Sequence, residues 1–206
     1  MPEPAVAAAD QGAYSSRGGD ILTFAALGVL SGIASFLAAK YSQLPFLHLS
    51  FFPDDAYRGS APILPGVIFG LLVAACAHHF GARGRWRLLL AMVLTTLAWV
   101  LAFDLASQAD MQLGLQVSSQ ARGAFALGVG GFVGGFGTCL AVAIAHPRFR
   151  RLGAWLLTAL VATFFGAIEQ VYELAADLFE NAALCALFIV WQTAVIASIA
   201  ATLGRK

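Results

Sequence analysis

The chain alternates long apolar stretches with short polar connections. Six stretches approach the roughly 20 predominantly apolar residues that a helix needs to cross a bilayer. They run over residues 21–39, 61–80, 86–106, 123–145, 152–172 and 182–203. The pattern predicts an all-α integral membrane protein, a six-transmembrane-helix bundle built as a single domain over residues 21–206. Residues 1–20, rich in Ala, Gly, Ser and Pro, read as a flexible cytoplasmic tail. Arg17 is their only basic residue, so the basic leader of a cleavable signal is missing and the first span reads as an uncleaved anchor.

Composition agrees with this pattern. Hydrophobic residues make up 60% of the chain and charged residues 11%, with a mean hydropathy of +0.80. A soluble domain carries roughly a quarter charged residues.

The net charge of +1 conceals an asymmetry between the two sides. Nine of the twelve Lys and Arg residues fall on one side: Arg17, Arg83, Arg85, Arg87, Arg148, Arg150, Arg151, Arg205 and Lys206. Only Lys40, Arg58 and Arg122 fall on the other, together with most of the acids. Basic connections stay cytoplasmic, so the N- and C-termini are both expected in the cytoplasm. The Ala, Gly and Arg richness points to a bacterial inner membrane. Nothing basic and low in complexity suggests nucleic acid.

The fourth span carries the most information. At 100° per residue, Gly128, Gly131 and Gly135 share one side, and Gly130, Gly134 and Gly137 share another. Phe125, Val129, Phe132, Phe136 and Leu140 gather on the bulky remainder. Small residues let helix backbones approach closely in lipid. Two smooth sides imply two close neighbours, so this helix is expected at the centre of the bundle or of a larger assembly. The same glycines also suit a lined path, or room for a lipid tail or pigment.

Residues 41–60 are too aromatic for a solvated loop, with Tyr41, Phe46, Phe51, Phe52 and Tyr57 suited to the membrane–water interface. They read as an interfacial segment, a lid or a docking surface. Other membrane subunits are the partners expected here and at the glycine-rich helix, beside the lipid bilayer itself. Residues 69–78 and 136–146 also echo one another, each leading into a basic turn, as in a parallel repeat of two hairpins.

Ionisable and polar groups at depth supply the candidate chemistry. Glu169, Glu173, Asp177 and Glu180 keep within about 80° of one helix face. Asp104 lies at a depth similar to Glu169, and the pair, with Glu173, would make an acidic outer vestibule for a cation. Gln192 sits near the middle of the sixth span, beside Trp191 and Thr193. His78 and His146 occupy equivalent places before the two basic turns, where they suit the interface or a bis-His haem or metal site. Cys76, Cys139 and Cys185 all fall in apolar runs, without CxxC spacing, and read as small packing residues.

The sequence holds no HExxH, GxSxG or P-loop motif, and no lysine within a span that could form a retinal Schiff base. Catalytic residues and cofactors are therefore not assigned. Three functional classes follow. The first is a non-catalytic subunit or assembly factor of a larger membrane complex. The second is a small transporter or channel subunit using Asp104, Glu169, Glu173 and Gln192. The third is a haem- or metal-binding redox protein using His78 and His146.

Overall fold

The computed structural model describes residues 4–41, 47–51, 61–113, 117–167 and 182–204. Among these, six α-helices follow in order: α1 Pro4–Tyr41, α2 Ile63–His79, α3 Arg85–Leu113, α4 Ser119–Ala145, α5 Leu152–Ala167 and α6 Ala182–Leu203. A 3-10 turn, Pro147–Arg150, joins α4 to α5. Before α2, β1 (His48–Leu49) pairs antiparallel with β2 (Ala61–Pro62), with His48 opposite Pro62 and Leu49 opposite Ala61.

Among the described residues, four helices are long and apolar enough to cross a membrane: Gly18–Tyr41 of α1, all of α3, Ala121–Ala145 of α4 and Cys185–Leu203 of α6. The other two are apolar but shorter, α2 with 17 residues and α5 with 16. At 1.5 Å per residue each is about 25 Å long, slightly less than a typical hydrocarbon core.

The helix boundaries depart from the hydropathy pattern in several places. Helix α1 begins at Pro4, so residues 4–20 are helical where composition suggests a tail. The alanines at positions 5 and 7–9 are the strongest helix formers, and Pro is well tolerated in a first turn. Helix α2 starts at Ile63 because Ala61 and Pro62 belong to the hairpin. Helix α3 continues to Leu113, beyond the apolar run. The helix of the fifth span is described only to Ala167. The remainder of that span lies outside the described residues.

The turn after α2 shows how local sequence sets the hairpin. Gly81 adopts φ +100°, its N–H donates to the His78 carbonyl at 3.0 Å, and Ala82 N–H donates to Ala77 O at 2.9 Å. This is the Schellman arrangement, in which a left-handed residue reverses the chain and satisfies terminal carbonyls. Glycine reaches that φ without a Cβ penalty.

Each helix packs on its neighbour in sequence, and α6 returns to pack on both α1 and α5, closing the set. Phe69 and Val73 of α2, Val142 of α4, and Trp191, Val195, Ile196 and Ile199 of α6 fill the centre. Burial departs from that of a soluble protein, with large apolar side chains on the outside and several polar ones inside. Ser35, Thr158 and Gln192 are fully enclosed, whereas Leu22 is 72% and Leu160 65% exposed. An apolar exterior around a polar-studded interior suits lipid as the surrounding solvent.

Candidate functional site

In lipid, helices gain little from the hydrophobic effect and associate through close packing and interhelical hydrogen bonds. Both devices are present here. On α4, a methyl group at Gly135 would lie 2.5 Å from Ala162 Cβ of α5, and one at Gly131 would collide with the Ala162 carbonyl. Gly128 faces the same helix more loosely, 3.7 Å from Ala167 Cβ. The other set meets α3. Gly130 faces Ala102 and Ala106, Gly137 abuts Ala98, and Gly134 lies between Ala102 and Trp191 of α6. Both smooth sides are therefore occupied within the chain, and the exposed side carries Phe125, Phe132, Phe136 and Leu140.

Two further glycine pairs close other helix contacts. Gly28 and Gly32 of α1 press on the α6 backbone at Thr193 and Ile189, at 2.7 and 2.5 Å for an added methyl. Gly66 and Gly70 of α2 press on Thr96, Trp99 and Met92 of α3. Both pairs have the GxxxG spacing that marks close helix approach, a signal present in the sequence but easily passed over beside the fourth span.

Gln192 lies at this α1–α6 contact. Its Oε1 accepts from Ser31 Oγ at 2.6 Å, and its Nε2 donates to Ser35 Oγ at 2.9 Å. Ser35 Oγ in turn donates to Pro65 O of α2 at 3.4 Å. All three side chains are buried. The amide thus ties three helices together.

Asp104, only 3% exposed, holds the connection between α1 and α2. Its Oδ2 accepts from Phe51 N at 2.6 Å and from Ser50 Oγ at 3.1 Å. One α3 turn away, Trp99 Nε1 donates to Pro62 O at 2.9 Å. Two α3 side chains therefore grip opposite ends of the β1–β2 connection. Asp110 pairs with Arg122 at 2.8 Å, bridging α3 and α4. Glu169, Glu173, Asp177 and Glu180 lie outside the described residues, so their spacing from Asp104 is not part of this geometry.

The two Arg-bearing turns meet at one end of the bundle. His146 Nε2 donates to Phe80 O at 3.1 Å, and its Nδ1 accepts from Arg148 N at 3.2 Å. Both ring nitrogens are thus engaged by backbone. His78 Nδ1 contacts Ala82 O at 3.3 Å within its own turn. His79 Nε2 pairs with Asp20 Oδ1 at 3.1 Å, which brings the start of the apolar part of α1 to the same end.

The repeat suggested by sequence does not extend to packing. Phe69 is buried whereas Phe136 is exposed. Gly70 meets the helix that follows it, and Gly137 meets the one that precedes it. Cys76 and Cys139 are buried in the core and Cys185 is half-buried.

A half-enclosed apolar cavity of about 90 Å³ opens between α3, α4, α5 and α6. Its walls are Trp99, Phe103, Phe188 and Trp191, with Ala102, Ala106, Leu127 and Leu187, and Gly130, Gly131 and Gly166 as a flat side. Trp191 Nε1, Thr95 Oγ1 and Thr193 Oγ1 are buried polar atoms with no hydrogen-bond partner among the described residues. No family model, curated protein or solved structure matches this chain.

Proposed function

We propose that this chain is a six-span protein of a bacterial inner membrane, with both termini cytoplasmic, that works non-catalytically as a subunit or assembly factor of a larger membrane complex. The observation that carries the reading is the Ser31–Gln192–Ser35 linkage. Gln192, fully buried, has its oxygen and one N–H engaged in holding helices together. Asp104 is engaged similarly, as the anchor of the outer hairpin. These groups support a scaffold better than a permeation path, because a transported ion needs coordinating atoms that are free to exchange partners.

Orientation supports the reading as well. Arg83, Arg85, Arg87, Arg148, Arg150 and Arg151 are exposed at the end where His146 joins the two turns. Clustered arginines at one end of a bundle mark its cytoplasmic side. With the glycine sides filled internally, a partner subunit would dock on the outer connection or on the Phe125–Phe132–Phe136 side.

Gentle detergent purification at native expression level, with mass spectrometry of the peak, tests the proposal. Partners in fixed stoichiometry are expected. A homogeneous peak containing only this chain would overturn the subunit reading and move attention to Glu169→Gln and ion flux.

A further inference from the structure

The two Arg-bearing turns are fixed to one another from inside. Ala82 of the first is 3% exposed and packs with Ala141 and Ala145 of α4, and Phe149 of the second is fully buried in the core. His146 Nε2 donates to Phe80 O at the start of the first turn at 3.1 Å, while its Nδ1 accepts from Arg148 N of the second at 3.2 Å. Gly81 and Gly84, both at positive φ, bracket Ala82 and Arg83 in a tight reversal. With the buried residues turned inward, Arg83, Arg85, Arg87, Arg148, Arg150 and Arg151 are left exposed around one joint.

Their neighbours do not neutralise these guanidinium groups. Among the described residues, no carboxylate lies within ion-pair distance of any of the six, and Asp20 at the same end pairs with His79. Arg150 Nε donates to Ala143 O at 3.3 Å. The acidic stretch between α5 and α6 joins the far ends of those helices. Helix α5 starts at the second turn and runs about 24 Å away from it. Ser198 Oγ donates to Thr158 Oγ1 at 3.1 Å, so the last turns of α6 lie beside the first turns of α5. Residues 1–20 carry three acids, Glu3, Asp10 and Asp20, fewer than the arginines of the joint.

Apolar side chains interleaved with the arginines specify the kind of anion. Trp86, 71% exposed, sits between Arg85 and Arg87, with the Arg85 guanidinium 5.8 Å from its ring centre. Leu152, 73% exposed, directly follows Arg151. One turn further on, Leu89 and Leu90 of α3 and Leu156 of α5 are exposed as well. A soluble acidic partner would match the arginines alone, whereas an amphiphile covers both kinds of group. Guanidinium forks pair with phosphate oxygens through parallel hydrogen bonds, and exposed indoles collect at headgroup level.

We infer that the joined α2–α3 and α4–α5 turns bind the headgroup of an anionic phospholipid, its phosphate held by arginines of both turns and its acyl chains lying along the exposed leucines of α3 and α5. The inference rests on the chain crossing a membrane and stands independently of the complex-subunit reading.

The test is native mass spectrometry of the purified full chain in detergent, with equal amounts of phosphatidylglycerol and phosphatidylcholine added. Phosphatidylglycerol is expected as the first bound lipid by at least about twentyfold, from roughly fivefold for each of two contacting arginines. Arg83→Gln and Arg148→Gln, one exposed side chain from each turn, should each cut that preference about fivefold. Lys40→Gln, at the other end of α1, should leave it unchanged. His146→Ala keeps every arginine but unties the turns, and should lower the preference several-fold. Equal binding of the two lipids by the wild type would overturn the inference, as would an unchanged preference in both arginine variants. An unchanged preference in His146→Ala would do so too, since charge alone would then suffice without the joint. Tighter binding of polyglutamate than of either lipid would assign the surface to an acidic protein instead.

Discussion

Gln192 and Ser31 are 161 positions apart and share a 2.6 Å hydrogen bond in the buried contact between the first and last helices. With the Ser35 bond it closes the ring of helices at the point where the chain's two ends meet. Gln192→Leu preserves volume but deletes both bonds. Interhelical hydrogen bonds in membranes average about 0.6 kcal/mol, so a loss of about 1–2 kcal/mol is expected. A double-mutant cycle with Ser31→Ala, read by denaturant unfolding in detergent, should return a non-zero coupling. Strict additivity would remove the linkage from the stability argument.

The glycine sides of α4 give graded expectations. A methyl at Gly131 runs into the Ala162 carbonyl, whereas one at Gly128 makes ordinary contact at 3.7 Å. Gly131→Ala should destabilise by about 1–3 kcal/mol through forced separation of α4 and α5. Gly128→Ala should be neutral or stabilising by up to about 1 kcal/mol, since it removes a helix-interior glycine without a clash. Thermal unfolding of the two variants in one detergent decides between this order and its reverse.

Asp104 predicts the behaviour of the connection between α1 and α2. Asp104→Ala removes the acceptor for Phe51 N and Ser50 Oγ, at a cost of about 1–3 kcal/mol. The segment it anchors contains Arg58, a trypsin site. Cleavage there should be several-fold faster in Asp104→Ala than in the wild type, with Asp104→Asn in between. Equal rates would show that Trp99 alone holds the connection.

His146 joins the two Arg-bearing turns through Phe80 O while capping the 3-10 turn. His146→Ala should lower stability by about 1–2 kcal/mol, the loss of two modest hydrogen bonds. It should also speed amide hydrogen exchange at Arg148, whose N–H donates to the ring. Unchanged exchange at Arg148 would contradict the cap.

The six-span reading has its own measurement. A reporter fluorescent only in the cytoplasm should be active at the C-terminus, and one active only outside should work when fused after Phe51. The reverse result would invert the orientation inferred from the arginines.

Much of this architecture is written locally. Runs of apolar residues fix where helices form, because in lipid a backbone must satisfy its own hydrogen bonds. The Ala182–Leu203 helix matches its apolar run end to end. The 100° periodicity also separates Gly128, Gly131 and Gly135 from Gly130, Gly134 and Gly137, and these two sets face α5 and α3 respectively. Such arguments need only the geometry of one helix. They could not identify the neighbours as parts of this same chain, nor see that Gly28 and Gly32 make an equally close contact with α6.

By itself, then, the sequence determined a helical bundle with apolar helices long enough to cross a membrane, and the two smooth sides of its fourth helix. The tertiary structure alone decided which partners the polar groups meet. Asp104 reads from sequence as a candidate ion site, and the fold adds that Phe51 N, 53 residues away, donates to it at 2.6 Å. Gln192 reads from sequence as a candidate transport residue, and the fold adds that two serines of α1 bond it. The orphan N–H of Trp191 is visible only once the packing around it is known. The reason is physical: helix geometry fixes a side chain's direction over a few residues, whereas its partner is set by contacts between segments far apart in the chain.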